Sequence, residues 1–197
     1  MSHYFTNDSK LSNELILVEE IINGKNYRFY TDGGVFSKNN VDFGSLLLIN
    51  VLMNNLKDES SFLDLGSGYG PIGIVIKDEF KNMSVHLTDV NEKAITLAKN
   101  NSELNKVKTN CYVSNGFAEI KESFDVISLN PPIRAGKKTI FNLYVEASNH
   151  LNENGKFFIV IKKKHGADSH KEYLKTLFKN IEVLEKSKGY FVMCLTK

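Results

Sequence analysis

The sequence predicts an α/β, Rossmann-like fold: a doubly wound, mostly parallel seven-stranded sheet with a C-terminal antiparallel hairpin and a small N-terminal β-hairpin extension. Three observations predict it. Apolar segments of strand length alternate with amphipathic segments of helical period between residues 61 and 179. A glycine-rich turn, 66–73, follows the first of these apolar segments. Asn23-Gly24 and Lys188-Gly189 each separate two strand-like segments, as hairpin turns do.

The N-terminal segment predicts the hairpin extension. Strand-like residues 14–22 and 25–31 flank Asn23-Gly24, a pair that favours a type I′ turn because both residues tolerate positive φ. We therefore divide the chain into an N-terminal tail and β-hairpin extension, residues 1–36, and a main domain, residues 37–197.

The remaining elements follow in chain order. Asp42 and Asn91 are suited to cap helices that begin directly after them, and Pro71 is suited to a first helical turn. Whether Asp42 also assists a reaction stays open. Strands are predicted at 61–65, 85–88, 108–113, 124–129, 157–161, 181–186 and 190–195. Helices are predicted at 43–56, 71–80, 92–104, 139–151 and 169–179.

Composition limits the class of protein. The chain has 197 residues, 42% of them hydrophobic and 24% charged, which fits one globular domain with a sizeable core. No run of about 18 apolar residues and no signal-like start are present, so we expect a cytoplasmic protein without membrane contact. Cys111 and Cys194 lie in apolar segments without metal-ligand spacing, and we expect free buried thiols and no metal.

The glycine-rich turn predicts a ligand at the carboxyl end of the first strand of the main sheet. Gly68-x-Gly70-x-x-Gly73 matches the dinucleotide fingerprint, so a nicotinamide dehydrogenase must be considered. Asp64, at the entrance of the turn, would repel a pyrophosphate but could engage an amino group. Asp89 ends the second strand, where it could accept hydrogen bonds from ribose hydroxyls of either cofactor. Asp64 therefore favours S-adenosylmethionine (SAM), as does an Asn-Pro-Pro motif later in the chain, whereas Asp89 does not discriminate between the cofactors. Asp64 and Asp89 could instead only hold the helices that follow them.

Asn130-Pro131-Pro132-Ile133 follows the apolar segment 124–129. Two prolines remove two backbone donors and force a rigid, extended exit from the strand. An amide side chain and carbonyl acceptors remain, which suits a target amino group whose hydrogens must be held. The motif therefore predicts transfer of a methyl group to an exocyclic amino nitrogen.

Five blocks of the sequence carry a resemblance to a known family: 34–37, 41–45, 64–73, 89–91 and 130–137. Together they resemble class I SAM-dependent methyltransferases of the methyltransferase small domain type. Within that type the chain is similar to bacterial small-subunit (16S) ribosomal RNA guanine-N2 methyltransferases and their compact stand-alone relatives. The resemblance implies a target-amine site at Asn130, Pro131, Pro132 and Ile133. It implies a SAM site at Asp64, Gly66, Ser67, Gly68, Asp89, Val90, Asn115 and Gly116.

The chain departs from the family pattern in three respects. Many relatives have an aspartate that contacts the adenine amino group where this chain has Ser114-Asn115-Gly116. Asn115 can still accept through its amide oxygen, without the charge-assisted bond, although Asn-Gly is also an ordinary turn. Ile133 replaces an aromatic residue on which amino-methylating enzymes often stack the target base. At 197 residues, the second, duplicated domain of longer relatives is expected to be absent.

Basic residues are concentrated in one part of the chain. Residues 130–171 contain eight Lys or Arg and three acids, a net charge of +5 against +2 for the whole chain. Two groups in this segment follow the predicted strands 124–129 and 157–161, at the edge that would hold the cofactor. We expect them to contact the phosphates of a polynucleotide. The proposed nucleic-acid-binding residues are Arg134, Lys137, Lys138, Lys162, Lys163 and Lys164.

The leading hypothesis from the sequence is guanine-N2 methylation of small-subunit ribosomal RNA, with that RNA or the subunit itself as partner. Methylation of adenine in RNA or DNA, or of a protein glutamine, is the first alternative. A SAM-binding RNA assembly factor with little turnover is the second, and a nicotinamide dehydrogenase the least favoured. The sequence does not decide between monomer and dimer.

Overall fold

The computed structural model describes residues 15–32, 40–57 and 59–197. The strands are β1 Ile16–Ile22, β2 Lys25–Thr31, β3 Ser61–Leu65, β4 Ser84–Asp89, β5 Asn110–Val113, β6 Phe124–Leu129, β7 Leu151–Lys162, β8 Asn180–Ser187 and β9 Tyr190–Thr196. The α-helices are α1 Phe43–Asn55, α2 Pro71–Glu79, α3 Glu92–Leu104, α4 Lys137–Asn149 and α5 Ala167–Leu174. Single 3₁₀ turns span Ile133–Ala135 and Lys163–His165.

Seven strands form one sheet in the order β5-β4-β3-β6-β7-β9-β8. All neighbours are parallel except β9, which runs antiparallel to β7 and β8. This confirms the predicted Rossmann-like sheet with its closing hairpin. The order reverses between β3 and β6, whose final residues Leu65 and Leu129 pair. Ligands of open parallel sheets bind outside the carboxyl ends of the strands at such a switch point.

Helices cover both faces of the sheet because each has an apolar stripe that must be buried. On one face, α1, α2 and α3 contribute residues such as Leu52, Ile74 and Ala98 to a shared hydrophobic cluster. On the other face, α4 and α5 contribute Tyr144 and Leu174 to a second cluster. The sheet, with the carboxyl ends of its strands, is therefore supported by a hydrophobic cluster on each face.

The predicted starts of α1, α2 and α3 are confirmed. The Asp42 carboxylate accepts from the backbone N–H groups of Gly44 and Ser45 at the start of α1. The Asn91 side chain caps α3, and Pro71 is the first residue of α2. Each device satisfies or removes a donor that the first helical turn would leave unpaired.

The N-terminal hairpin is confirmed and is packed against the main domain. Asn23 and Gly24 have φ values of +50° and +76°, as a type I′ turn requires. Tyr27 and Phe29 of β2 are buried in the same cluster as α1 to α3. The hairpin thus shares a core with the rest of the fold. The division near residue 36 and the matching block at 34–37 lie outside the described residues, so the two-part division remains a prediction.

Several predicted boundaries were wrong by two to six residues. β7 begins at Leu151 instead of 157, because Leu151 pairs with Phe124 ahead of an irregularity in the β6–β7 ladder. β5 begins at Asn110 instead of 108. α5 begins two residues early, directly after Gly166 with φ +84°, and ends at Leu174 instead of 179. α4 likewise begins two residues early, directly after Gly136 with φ +89°, and ends at Asn149.

Two composition-based expectations can be compared with the structure. Cys111 and Cys194 are both free, as predicted, but only partly buried. Among the described residues, no helix is long and apolar enough to cross a membrane.

Candidate cofactor and target-amine site

The glycine-rich turn contains glycines with two different roles. Gly68 has φ +58°, and a Cβ added there would meet no atom within 4 Å. Gly70 and Gly73 face the core instead, where an added Cβ would lie 2.9 Å and 2.8 Å from Leu87. Gly73 therefore lets α2 pack closely on β4, whereas Gly68 borders open space that a ligand can occupy. Ser67 beside it is buried, and its N–H donates to the Thr88 carbonyl at 2.8 Å.

Asp89 holds the glycine turn from the end of β4. Its Oδ2 accepts from the Gly68 N–H at 3.0 Å, and its Oδ1 accepts from the Asn91 N–H at 2.9 Å. Burial raises the pKa of the Asp89 carboxyl, and these backbone donors partly oppose the rise. Each carboxylate oxygen can accept a further hydrogen bond. The group is therefore placed to accept from neighbouring hydroxyls at the strand end.

Asp64 is turned into the protein. Its carboxyl group accepts from the Gly73 N–H at 3.0 Å and from the Ser128 hydroxyl at 3.2 Å. Only 1% of the residue is exposed, and burial raises its pKa to about 7. These contacts show the alternative role considered from the sequence, in which Asp64 holds the start of α2. Contact with the cofactor amino group stays a prediction.

The loop after β5 lies beside the end of β4. The Ser114 N–H donates to the Asp89 carbonyl at 2.9 Å, and the Ser114 hydroxyl donates to the Gly116 carbonyl at 2.8 Å. Asn115 is exposed, and Val90 is 37% exposed. Asn115 and Val90 are thus available to a ligand that extends along the edge from Gly68.

Asn130 follows β6 and is held by α1. Its Nδ2 donates to Ser45 Oγ at 3.0 Å and lies 3.3 Å and 3.4 Å from the two carboxylate oxygens of Asp42. Pro131 is buried and Pro132 is partly exposed. Ile133 is partly buried, begins the 3₁₀ turn and packs against the second hydrophobic cluster. The motif and the glycine turn follow adjacent parallel strands, so they share one edge of the sheet.

The two basic groups leave the carboxyl ends of β6 and β7, which are neighbours in the sheet. Lys162 lies over the Tyr190 ring, with Nζ 4.8 Å from its centroid, and Lys137 contacts the Ser169 hydroxyl. We call the six residues of the two groups the basic rim. Lys162 is partly buried, and the other five members are exposed: Arg134, Lys137, Lys138, Lys163 and Lys164.

Three residues that connect these parts were not predicted from the sequence. Ser45 and Ser128 bind Asn130 and Asp64 from other elements. Asn101 is fully buried in α3 and donates to the carbonyls of Tyr30 and Tyr69. One signal was available, since Asn101 continues an apolar stripe of α3 at helical spacing.

The residues at this edge fit SAM. The open space at Gly68 accommodates a ligand that lies close to the backbone, and Asp89 offers acceptors for two hydroxyls. The N–H groups of Gly68 and Gly73 are already bound by Asp89 and Asp64, so they are not free to bind a pyrophosphate. The sheet and the arrangement of its strand ends are those of a SAM-dependent methyltransferase.

Comparison with known families makes the assignment specific. The chain belongs to the methyltransferase small domain family, which it matches over residues 26–194. This confirms the resemblance and the cofactor predicted from the sequence.

Relatives include compact and longer proteins. The uncharacterized protein YbxB of Bacillus subtilis (strain 168) is 38% identical over 194 residues, which are 97% of this chain and 96% of that protein. Ribosomal RNA small subunit methyltransferase C of Psychromonas ingrahamii is 34% identical over 174 residues, 83% of this chain and 47% of that protein. The chain thus spans about half the length of the latter relative.

A solved structure supports the fold. A 16S rRNA N2 methyltransferase of T. thermophilus, in complex with AdoMet and guanosine, superimposes with a TM-score of 0.85 at 23% identity. The match covers 94% of this chain and 51% of that one. A methyltransferase of Pyrococcus furiosus matches with a TM-score of 0.65 at 25% identity, covering 77% of this chain and 81% of that one.

Proposed function

We propose that this protein methylates an exocyclic amino group, with guanine N2 of small-subunit ribosomal RNA as the target. One observation carries the proposal: Asn130-Pro131-Pro132 leaves β6 directly beside the glycine turn of β3, at the switch point of the sheet. A motif that can present an amide oxygen and a backbone carbonyl therefore adjoins the space that fits SAM.

The chemistry follows from the acceptors. Asn130 Oδ1 and the Pro131 carbonyl each accept one hydrogen of the target amine, which draws the nitrogen lone pair out of conjugation with the base. When bound, SAM supplies an electrophilic methyl group on a sulfonium. Asn130 and Pro131 orient the nitrogen for in-line attack, so positioning provides most of the rate. The nitrogen becomes cationic on transfer and then loses its proton to water, so a strong general base is not required.

Polynucleotide binding is supported by the basic rim. Its residues lie beside the motif on the neighbouring ends of β6 and β7, where phosphates flanking the target base would lie. Support for ribosomal RNA comes from the small-subunit methyltransferase relatives. Guanosine bound to a protein of the same fold supports guanine. A ribosomal substrate implies a cytoplasmic protein.

Ile133 bears on how the target base is held. It is partly buried and packs against the second cluster. An aliphatic side chain offers no ring face on which a base could stack. Guanine and adenine would both lose that contact, so Ile133 does not discriminate between them.

The direct test is methyl transfer from tritiated SAM to small ribosomal subunits and to naked small-subunit RNA, each lacking the native modification. We expect label in N2-methylguanosine on nucleoside analysis, and none with Asn130→Ala. The variant should still bind SAM, because the Asn130 contacts run to α1 and not to the glycine turn. Label in adenosine or in protein, or none in either RNA with SAM bound, would contradict the proposal.

A further inference from the structure

We infer that Asp42, together with Ser45, is a positioning residue that fixes which end of the Asn130 amide faces the target amine. The inference rests on the proposed function, in which Asn130 must present its oxygen to an amino group. It assigns Asp42 a role in the reaction geometry beyond its role at the start of α1.

An asparagine side chain can present either end. The carbonyl oxygen accepts hydrogen bonds and the NH2 group only donates. Rotation of the amide by half a turn would place two donors against the target amine, which itself donates. A site that binds an amino group therefore needs a device that forbids this rotation.

Asp42 supplies that device. Both its carboxylate oxygens lie within 3.4 Å of Asn130 Nδ2 and can only accept, so the NH2 end must face α1. Ser45 Oγ, 3.0 Å from the same nitrogen, provides a further acceptor. The Asn130 oxygen is consequently directed away from α1.

The carboxylate is itself held in place. Asp42 Oδ1 accepts from the N–H groups of Gly44 and Ser45 at 3.0 Å and 3.2 Å. Gly44 permits this close approach, since an added Cβ would lie 3.0 Å from Asp42 Oδ1 and 3.2 Å from the Tyr190 ring. Capping alone needs one acceptor, which Ser or Asn provides equally well. Asp42 Oδ2 is superfluous for the cap and contacts Asn130.

Two single variants separate capping from positioning. Asp42→Ser and Asp42→Asn both retain an oxygen that can cap α1. The serine is too short to reach Asn130, and the asparagine places an NH2 group against the Asn130 NH2 group. We expect kcat to fall about 10- to 100-fold in both, as misoriented groups do. The SAM dissociation constant and the midpoint of urea unfolding should remain close to wild type.

An exchange of the two side chains gives a readout that a purely structural role would not change. Asn130→Asp sets two carboxylates against each other and should lose activity. In Asp42→Asn/Asn130→Asp the amide at 42 donates to one carboxylate oxygen at 130, and the other oxygen faces the amine. We expect the double variant to be at least about tenfold more active than Asn130→Asp, a coupling typical of contacting residues.

A measurement without RNA tests the orientation itself. The side-chain NH2 signal of Asn130 is identified in ¹⁵N spectra by its loss in Asn130→Asp. We expect hydrogen exchange of this NH2 group to be slow in the wild type and clearly faster in Asp42→Ser. Unchanged exchange, wild-type kcat in both Asp42 variants, or no rescue in the double variant would overturn the inference. Slow exchange in a wild type that methylates no amine would contradict the proposed function and leave the orientation standing.

Discussion

The Asn101 side chain in α3 forms two hydrogen bonds with the backbone of Tyr30 in β2, as the backbone of a neighbouring strand would. Its Oδ1 accepts from the Tyr30 N–H at 2.7 Å, and its Nδ2 donates to the Tyr30 carbonyl at 3.0 Å. The same Nδ2 donates to the carbonyl of Tyr69, inside the glycine turn, at 2.9 Å. One buried amide thus joins the N-terminal hairpin, α3 and the proposed cofactor site.

Asn101→Ala should lower both stability and SAM affinity. Three backbone groups would lose a buried partner, and we expect the free energy of unfolding to fall by about 2–4 kcal/mol. Asn105→Ala is the matched control, because Asn105 makes the same two bonds to Arg28 at a more exposed position and does not contact the glycine turn. Urea unfolding and calorimetric SAM titration measure both effects. An equal loss of SAM affinity in the two variants would contradict the link between Asn101 and the cofactor site.

Gly68→Ala should weaken SAM binding specifically. Its φ of +58° strains any other residue, and an added methyl group enters the open space above the turn. Gly24→Ala is the control: its φ is +76°, its Cβ position is also open, and it lies in the hairpin turn. We expect both variants to lose about 1 kcal/mol of stability. Only Gly68→Ala should lose about tenfold or more in SAM affinity, or about 1.4 kcal/mol.

Asp89→Ala should weaken SAM binding by about 2–4 kcal/mol, since two hydrogen bonds to a charged acceptor are lost. Asp125→Ala is the control, because it also removes a carboxylate that accepts hydrogen bonds from backbone N–H groups of another segment. Asp125 accepts from the Ser60 and Ser61 N–H groups at 2.8 Å and 3.0 Å, at the opposite edge of the sheet. Both changes should destabilise the fold, but calorimetry should show reduced SAM affinity only for Asp89→Ala. Unchanged affinity would refute the role assigned to Asp89.

Asp64 should make stability fall with rising pH. Burial raises its folded-state pKa from 3.8 to about 7, so the folded chain binds this proton more tightly than the unfolded chain does. The resulting stabilisation is fully present below about pH 4 and is lost as pH rises through about 7. Compared with Asp64→Asn, the wild type should lose up to roughly 4 kcal/mol across this range. Parallel urea unfolding curves for both proteins between pH 4 and 8.5 measure the difference, and a constant difference would contradict the assignment.

The basic rim should control RNA affinity through its charge. Lys163→Gln/Lys164→Gln should weaken RNA binding and reduce the slope of log K against log salt by about 1 to 2, because two phosphate contacts are lost. Lys106→Gln/Lys108→Gln is the control. Both lysines are exposed and precede β5, so they lie where the parallel strands begin and not where they end. Filter binding at several salt concentrations measures the slope. An equal effect of the two pairs would argue against a specific RNA-binding edge.

Local patterns were sufficient for most of the fold. β3, β6 and α3 were predicted with their observed ends, because an apolar run or a helical stripe and a cap at Asn91 determine them locally. The early start of β7 at Leu151 was missed, since pairing with Phe124 depends on a neighbouring strand. The start of α5 after Gly166 was missed because a left-handed glycine can begin an element as well as end one.

The candidate site was predictable as a set of residues but not as an arrangement. The glycine turn and Asn130-Pro131-Pro132 are recognisable from composition and from the strands that precede them. The inward orientation of Asp64 is not, because it depends on Ser128 of an adjacent strand and on the position of α2. The contact of Asn130 with Asp42 joins residues that are 88 apart in the chain.

The sequence by itself determined the succession of strands and helices, their caps and turns, and the two motifs that suggest methyl transfer to an amine. These properties depend on backbone preferences and apolar periodicity within a few residues. Only the tertiary structure decided that β3 and β6 are neighbours, that Asn101 joins the hairpin to the glycine-rich turn, and that Asp42 and Ser45 contact the Asn130 amide. Such relationships depend on how buried faces pack, which no local stretch of sequence specifies.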